Sequence, residues 1–83
     1  MKLEDLKKAN ALNDELQRAK YELEEFQSDK VKVVVYVKDI KQTTIDPKSN
    51  EHKYAPMANN FIIDLINYLK AKISRIEKQI EAL

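Results

Sequence analysis

The chain has 83 residues, of which 35% are charged, and its formal net charge is +1. This length predicts a single domain, 1–83, near the size at which one hydrophobic core is barely sufficient. Because there is no cysteine, disulfides and thiolate metal sites are excluded as sources of stability, and we expect a homo-oligomer, either a dimer or a tetramer.

The first predicted element is a helix over residues 2–27. Apolar residues recur within it at alternating spacings of three and four, which places them on one stripe of a helix. The residues between them are mostly Glu, Lys, Gln and Arg, which favour helices. The stripe consists of Ala9, Leu12, Leu16, Ala19, Leu23 and Phe26.

The next segment, 30–38, is predicted to be a β-strand, followed by an irregular or hairpin segment to residue 55. Its β-branched residues fit a pleated strand better than a helix. An open edge of this composition would aggregate, so the strand needs a partner. The face that we expect to contact another protein carries Val31, Val33, Val35 and Val37.

The sequence leaves three pairings of this strand open. A hairpin centred on the Asp-Pro turn at 46–50 pairs 41–45 with 51–55 and leaves most valines unpaired. A looser turn at 39–42 pairs the valines with 43–46 instead. The third pairing joins the valine run to its copy in a second chain. Because the chain has no glycine, a tight primed turn is not expected. We expect some pairing within the chain together with strand contact between copies.

The second predicted helix, 56–82, opens at Pro56, a residue that suits the first helical position. Nearly every residue from Phe61 to Leu69 is apolar, so this half must be covered on more than one side, and Phe61 and Leu65 are possible partner contacts. The later half has a narrower stripe. The whole stripe has unbroken heptad spacing and consists of Ile62, Ile66, Leu69, Ile73, Ile76, Ile80 and Leu83.

Together these elements predict an α+β fold, with two long antiparallel helices in a coiled-coil-like hairpin flanking a short β-strand or β-hairpin. Small alanines opposite isoleucines favour a pair within one chain, whereas isoleucine at both core positions of the heptad favours more than two helices. A bundle of two helical hairpins satisfies both, and pairing within or between chains stays open. The predicted oligomer seam is Leu12, Leu16, Leu23, Phe26, Ile62, Ile66, Leu69, Ile73, Ile76 and Ile80.

No motif predicts an enzyme, a cofactor site or a metal site. His52 is the only histidine, and neither an activated nucleophile nor a set of metal ligands accompanies it. We therefore interpret His52 as a solvated loop residue.

The middle of the chain offers an alternative function, nucleic-acid binding. Residues 30–53 carry six basic and three acidic groups, whereas residues 1–29 carry five basic and eight acidic groups. Lysines contact phosphates and tyrosines stack on bases, although lysines also protect strand edges. The candidate residues are Lys32, Tyr36, Lys38, Lys41, Lys53 and Tyr54.

The order of long helix, valine strand and long helix resembles the hairpin subunits of prefoldin in miniature, with no functional residue carried over. The size and pattern are also similar to small proteins of bacterial phage and prophage regions. We expect a self-assembling protein-interaction module with an unidentified protein partner. No apolar run spans a bilayer, so we expect no membrane contact and a location in the cytoplasm of a bacterium or an infected host cell.

Overall fold

The computed structural model describes residues 2–83, which form two helices and a two-stranded antiparallel sheet. The fold is α+β, as predicted, and the order along the chain is helix, hairpin, helix. The alternative in which the helices flank a single strand is wrong. The elements are α1 (Leu3–Phe26), β1 (Val33–Val37), β2 (Ile40–Ile45) and α2 (Ala55–Glu81).

The two helices lie side by side and run in opposite directions. Phe26, at the end of α1, lines a small cavity together with Ile66 from the first half of α2. Further back along α1, the Glu15 carboxylate lies 3.8 Å from the Lys72 ammonium group of α2. The end of α1 thus lies near the start of α2, and the two helices are antiparallel.

The heptad stripes of α1 and α2 face each other along this pair. Leu16 and Ala19 of α1 and Leu69 and Ile76 of α2 are buried. The other stripe residues are half-buried, except for Leu83, which is exposed. Because each stripe covers the other, the helices pair within one chain.

The valine run pairs with the segment that directly follows it. Val33 lies opposite Ile45, and Val37 lies opposite Ile40. The register that pairs 41–45 with 51–55 is therefore wrong. Residues 46–50 do contain a turn, in which the backbone N–H of Ser49 donates to the carbonyl of Asp46 at 3.0 Å, but this turn connects β2 to α2.

The hairpin is closed by a two-residue turn, Lys38–Asp39, which is tighter than the predicted turn at 39–42. Both residues have positive φ, 51° and 66°, as a type I′ turn requires. The expectation that a chain without glycine avoids such a turn is wrong. Asp enters the left-handed region more readily than most residues, whereas Lys38 is strained there by roughly 1–2 kcal/mol. Pairing of the strands must outweigh that strain.

The core is thin and divided between two places. Among residues 2–83, seven hydrophobic side chains are buried, and the molecule extends over 56 × 26 × 16 Å. Four of the seven lie between the helices, and the other three lie where the hairpin meets α2. Over the same residues, neither helix is long and apolar enough to cross a membrane.

Candidate interaction surface

One face of the hairpin is almost entirely apolar. Directly opposite residues of an antiparallel pair point to the same side of the sheet, and the register places valines opposite isoleucines at both ends. We call this side the hairpin inner face. It consists of Val33, Val35, Val37, Ile40, Thr43 and Ile45.

The hairpin inner face packs on α2 at one end only. The buried cluster consists of Ile45, Ala55 and Ala58, with Val33 packed against it. The two alanines of α2 are short, so the strands can approach the helix closely. Towards the turn this packing stops, and Val37 and Ile40 are exposed. The hairpin inner face is therefore buried near Ile45 and exposed to solvent near Val37 and Ile40.

An apolar groove of about 440 Å³ lies between the hairpin inner face and the first turns of α2. On the α2 side, Met57 and Phe61 are 66% and 54% exposed. We call the hairpin inner face and this groove together the apolar surface. The groove is lined by Val33, Val35, Gln42, Thr43, Ile45, Tyr54, Met57, Ala58 and Phe61.

A second apolar stripe on α2 extends this surface along the helix. It begins at Tyr54, just before the helix, and its members recur every three or four residues, so they share one side. Leu65 is half-buried, whereas the others are exposed. Phe61 and Leu65 were predicted as partner contacts and Tyr54 as a nucleic-acid contact, whereas Met57 and Tyr68 were not predicted, although all five share one helical spacing. The stripe consists of Tyr54, Met57, Phe61, Leu65 and Tyr68.

The two outer edges of the hairpin differ in character. The sheet has two strands over residues 2–83, so neither edge has a neighbouring strand there. β1 is regular and has no charged residue. In β2 the register shifts opposite Val35 and Tyr36, so that Gln42 has no partner, and Lys41 lies next to it. Bulges and lysines both hinder pairing at a strand edge. The β2 edge is therefore protected, and the β1 edge is not.

Short polar contacts hold the connection from β2 to α2. The backbone N–H of Lys48 donates to Asp46 Oδ1 at 2.9 Å. Ser49 Oγ accepts from the backbone N–H groups of both Glu51 and His52, each at 3.2 Å. Such side-chain turns fix a loop without glycine. These hydrogen bonds position the first turn of α2 against the hairpin inner face.

His52 helps to hold this connection through two side-chain hydrogen bonds. Its Nδ1 accepts a hydrogen bond from the backbone N–H of Tyr54 at 3.1 Å, and its Nε2 lies 3.4 Å from Thr43 Oγ1. A neutral ring that accepts at Nδ1 carries its proton on Nε2, so it donates to Thr43. Within residues 2–83, no group of three or more His, Asp or Glu side chains is arranged to hold a metal ion.

An exposed ion pair between Asp29 and Lys48 joins the segment after α1 to the turn after β2. The hydrogen bond from the Lys48 ammonium, followed by its charge, lowers the pKa of Asp29 below the usual 3.8. Both side chains are largely exposed, and exposed pairs contribute little to stability.

The candidate nucleic-acid residues divide between two places. Four lie on or beside the hairpin: Lys32, Tyr36, Lys38 and Lys41. Among these, Tyr36 lies directly opposite Lys41 on the outer face. The other two precede α2, where Lys53 Nζ lies 4.9 Å from the ring centroid of Tyr54. Tyr54 also lines the apolar groove.

The predicted oligomer-seam residues lie where α1 and α2 pack together, and none of them lines the groove. Val31, predicted as a partner contact, is half-buried and lines a separate cavity of about 220 Å³ with Phe26 and Ile66. The structure thus separates the seam from the apolar surface.

Comparison of the chain with models of protein families, with known proteins and with solved structures finds no match.

Proposed function

We propose that this chain is a non-enzymatic, self-associating protein-interaction module that acts through its apolar surface. The observation that carries the proposal is the continuous apolar area formed by the hairpin inner face and the groove, with exposed Met57 and Phe61 at its margin. Exposed apolar patches on small domains mark sites of protein contact.

The proposal moves the association surface away from the heptad seam. The stripes of α1 and α2 bury Leu16, Ala19, Leu69 and Ile76 against each other, so the seam does not require a second chain. The hairpin end retains exposed side chains that no described element covers. Association at this end supplies the burial that a small domain lacks.

The energetics favour covering this end. A two-stranded hairpin is marginal in water unless further strands or a helix cover it, and α2 covers only part of the hairpin inner face. Burying the exposed halves of Met57 and Phe61 contributes roughly 1–2 kcal/mol each. Burial of several such side chains offsets the cost of association, which is on the order of 4–15 kcal/mol, in part or in full.

The test is the molar mass in solution of Phe61→Glu, measured by light scattering over a wide concentration range. We expect the wild type to be a dimer or tetramer, and the variant to shift towards monomer because a carboxylate replaces buried apolar area. The matched control is Tyr21→Glu, which places the same charge at an exposed aromatic residue of α1. It is expected to keep the wild-type mass. A wild type that stays monomeric, or a Phe61→Glu variant that assembles normally, would contradict the proposal.

The alternative function, nucleic-acid binding, is supported by one observation: Tyr36 and Lys41 lie opposite each other on the outer face of the hairpin. Under this alternative, replacing Lys32, Lys38 and Lys41 by glutamine abolishes salt-sensitive retention of DNA or RNA, because phosphate contacts release counterions. Under the proposal favoured here, the same variant assembles as the wild type does.

A matched control separates local contacts from the loss of charge alone. It replaces three exposed lysines of the helices, Lys20, Lys70 and Lys78, by glutamine. Loss of retention in the hairpin variant only would favour nucleic-acid binding at the outer face. The protein partner, the cytoplasmic location and the phage or prophage type expected from the sequence stay predictions.

A further inference from the structure

We infer that the occupant of the apolar surface is a second copy of this chain, whose β1 edge pairs antiparallel with the β1 edge of the first. This inference rests on the proposed function, and it identifies what binds to the apolar surface. It joins two hairpins into one four-stranded sheet with the order β2-β1-β1-β2.

The choice of edge follows from the difference between the two strands. Addition of a strand uses main-chain hydrogen bonds along an edge that is regular and free of charge. β1 meets both conditions over Val33–Val37. β2 meets neither, because Gln42 is bulged out of the ladder and Lys41 lies beside it. A second copy offers a β1 edge with the same properties.

The register follows from symmetry. The antiparallel two-fold arrangement that pairs all five residues of β1 is centred on Val35. It places Val35 opposite Val35 of the second copy, Val33 opposite Val37, and Val34 opposite Tyr36. Every pair is apolar, and pairs of aromatic and β-branched residues are favourable across strands.

The flanking charges are the unfavourable part of this register. Lys32 of one copy lies directly opposite Lys38 of the other, and like charges in that position are destabilising. Asp39 follows Lys38 in the same turn, so the turn as a whole carries no net charge.

The same register covers the exposed side chains reciprocally. Val37, near the turn of one copy, comes beside Val33 of the second copy, and Ile40 lies one strand further from it. Val33 borders the groove into which Met57 and Phe61 open. The groove of each copy therefore lies next to Val37 of the other copy. One two-fold contact brings the β1 edge and the margin of the groove together.

The exposed apolar area is large enough to contribute most of what a standard interface buries. The exposed apolar side chains of the β1 edge and the apolar surface are 38% to 66% exposed. With roughly 150–250 Å² for an aromatic side chain and less for an aliphatic one, they offer roughly 700 Å² per copy. A standard interface buries about 800 Å² per partner. These side chains are Val34, Val35, Tyr36, Val37, Ile40, Tyr54, Met57 and Phe61.

A single cysteine at the two-fold axis tests the inference, because the chain has none of its own. In Val35→Cys the two introduced residues lie directly opposite, about 4.5–5.5 Å apart between Cα atoms, which suits a disulfide. Mild oxidation is expected to convert most of the protein to a linked dimer on a non-reducing gel. In the control Val37→Cys, the counterpart lies roughly 13 Å away along the strand, so little linked dimer is expected.

A second pair of variants keeps the inference testable if Val35→Cys does not fold. Val34 and Tyr36 are exposed on the outer face and lie outside the buried cluster at α2. In the predicted register they lie opposite each other across the dimer. We expect Val34→Cys and Tyr36→Cys to form few linked dimers alone and to form linked heterodimers when mixed.

The solution mass separates failure of the inference from failure of the proposed function. Linked Val35→Cys and linked mixed variants, with Val37→Cys unlinked, support pairing of β1 with β1. Equal linking at Val35 and Val37, or no linking in a protein whose mass shows assembly, overturns this pairing and leaves self-association standing. A wild type that is monomeric throughout overturns both.

Discussion

At one end of α2, Ile76 is 1% exposed on the face towards α1, whereas near the other end Phe61 of the same helix is 54% exposed. Both are large apolar side chains, and their different burial follows from what lies beside them. α1 provides a second stripe of matching period along the helix pair. The hairpin provides only the small cluster around Ile45. The helix pair is thus complete within one chain, and the hairpin end is not.

Geometry explains this difference between the two ends. Two helices of similar length cover each other's heptad stripe along most of their length. A two-stranded sheet has two faces and two edges, and one helix covers only part of one face. The hairpin therefore leaves the inner face open near Val37 and leaves the β1 edge without a neighbour.

The largest expected effect is in the helix pair. Ile76→Ala is expected to lower the free energy of unfolding by roughly 2–5 kcal/mol, because it leaves a cavity between the helices. The matched variant Ile40→Ala, at the exposed turn, is expected to cost less than about 1 kcal/mol at low protein concentration. Urea unfolding followed by circular dichroism measures both. A similar loss of unfolding free energy in both variants would contradict the view that the helix pair is packed and the hairpin end is not.

A smaller effect is expected where the hairpin meets α2. Ala58→Leu overpacks the buried cluster, and overpacking costs roughly 1–3 kcal/mol. Hydrogen exchange should show faster opening of β1 and β2, with the helix pair unchanged. Ala71→Leu, at an exposed position of α2, is the control. Equal loss of protection in the hairpin and the helices would mean that the two ends fold as one unit.

The turn should respond in opposite directions to two substitutions of one residue. Asp39→Gly is expected to stabilise the protein by about 1 kcal/mol, because glycine adopts the positive φ without strain. Asp39→Ala is expected to destabilise it by a similar amount. Thermal unfolding at fixed concentration compares them. A loss of stability in Asp39→Gly would show that the aspartate makes a contact more valuable than its backbone strain.

The smallest effect concerns the exposed ion pair. Because Lys48 lowers the pKa of Asp29 in the folded state, the pair stabilises the protein above the usual carboxyl pKa and loses this effect as the pH falls through the lowered value. Asp29→Asn should therefore slightly reduce the neutral-pH thermal midpoint and leave the acid midpoint unchanged. Asp64→Asn is the control. A larger effect of Asp29→Asn in acid than at neutral pH would reverse the sign and contradict this account.

The helices could be predicted closely because their signal is periodic. Heptad spacing placed them at 2–27 and 56–82, within two residues of the observed ends. The second stripe, with Met57 and Tyr68, was not predicted because nearly every residue at the start of α2 is apolar, so two stripes cannot be told apart there by spacing. Which stripe faces α1 depends on the packing of both helices.

The hairpin was harder to predict because its closing turn lacks the usual residues. Lys38–Asp39 has no glycine or asparagine, while Pro47 gave a stronger turn signal a few residues later. The apolar surface could not be predicted from the sequence for a related reason. Its composition depends on the register, and a shift by one residue would turn Val35 to the other face.

Hydrogen exchange at low and at high protein concentration tests the central claim most directly. If the helix pair is complete within one chain and the hairpin is completed by a second copy, amides in residues 66–80 exchange equally at both concentrations. Amides of Val33–Val37 then gain protection at high concentration, because the β1 edge becomes paired. Concentration-independent exchange in β1, or equal gains in β1 and the helices, would contradict the claim.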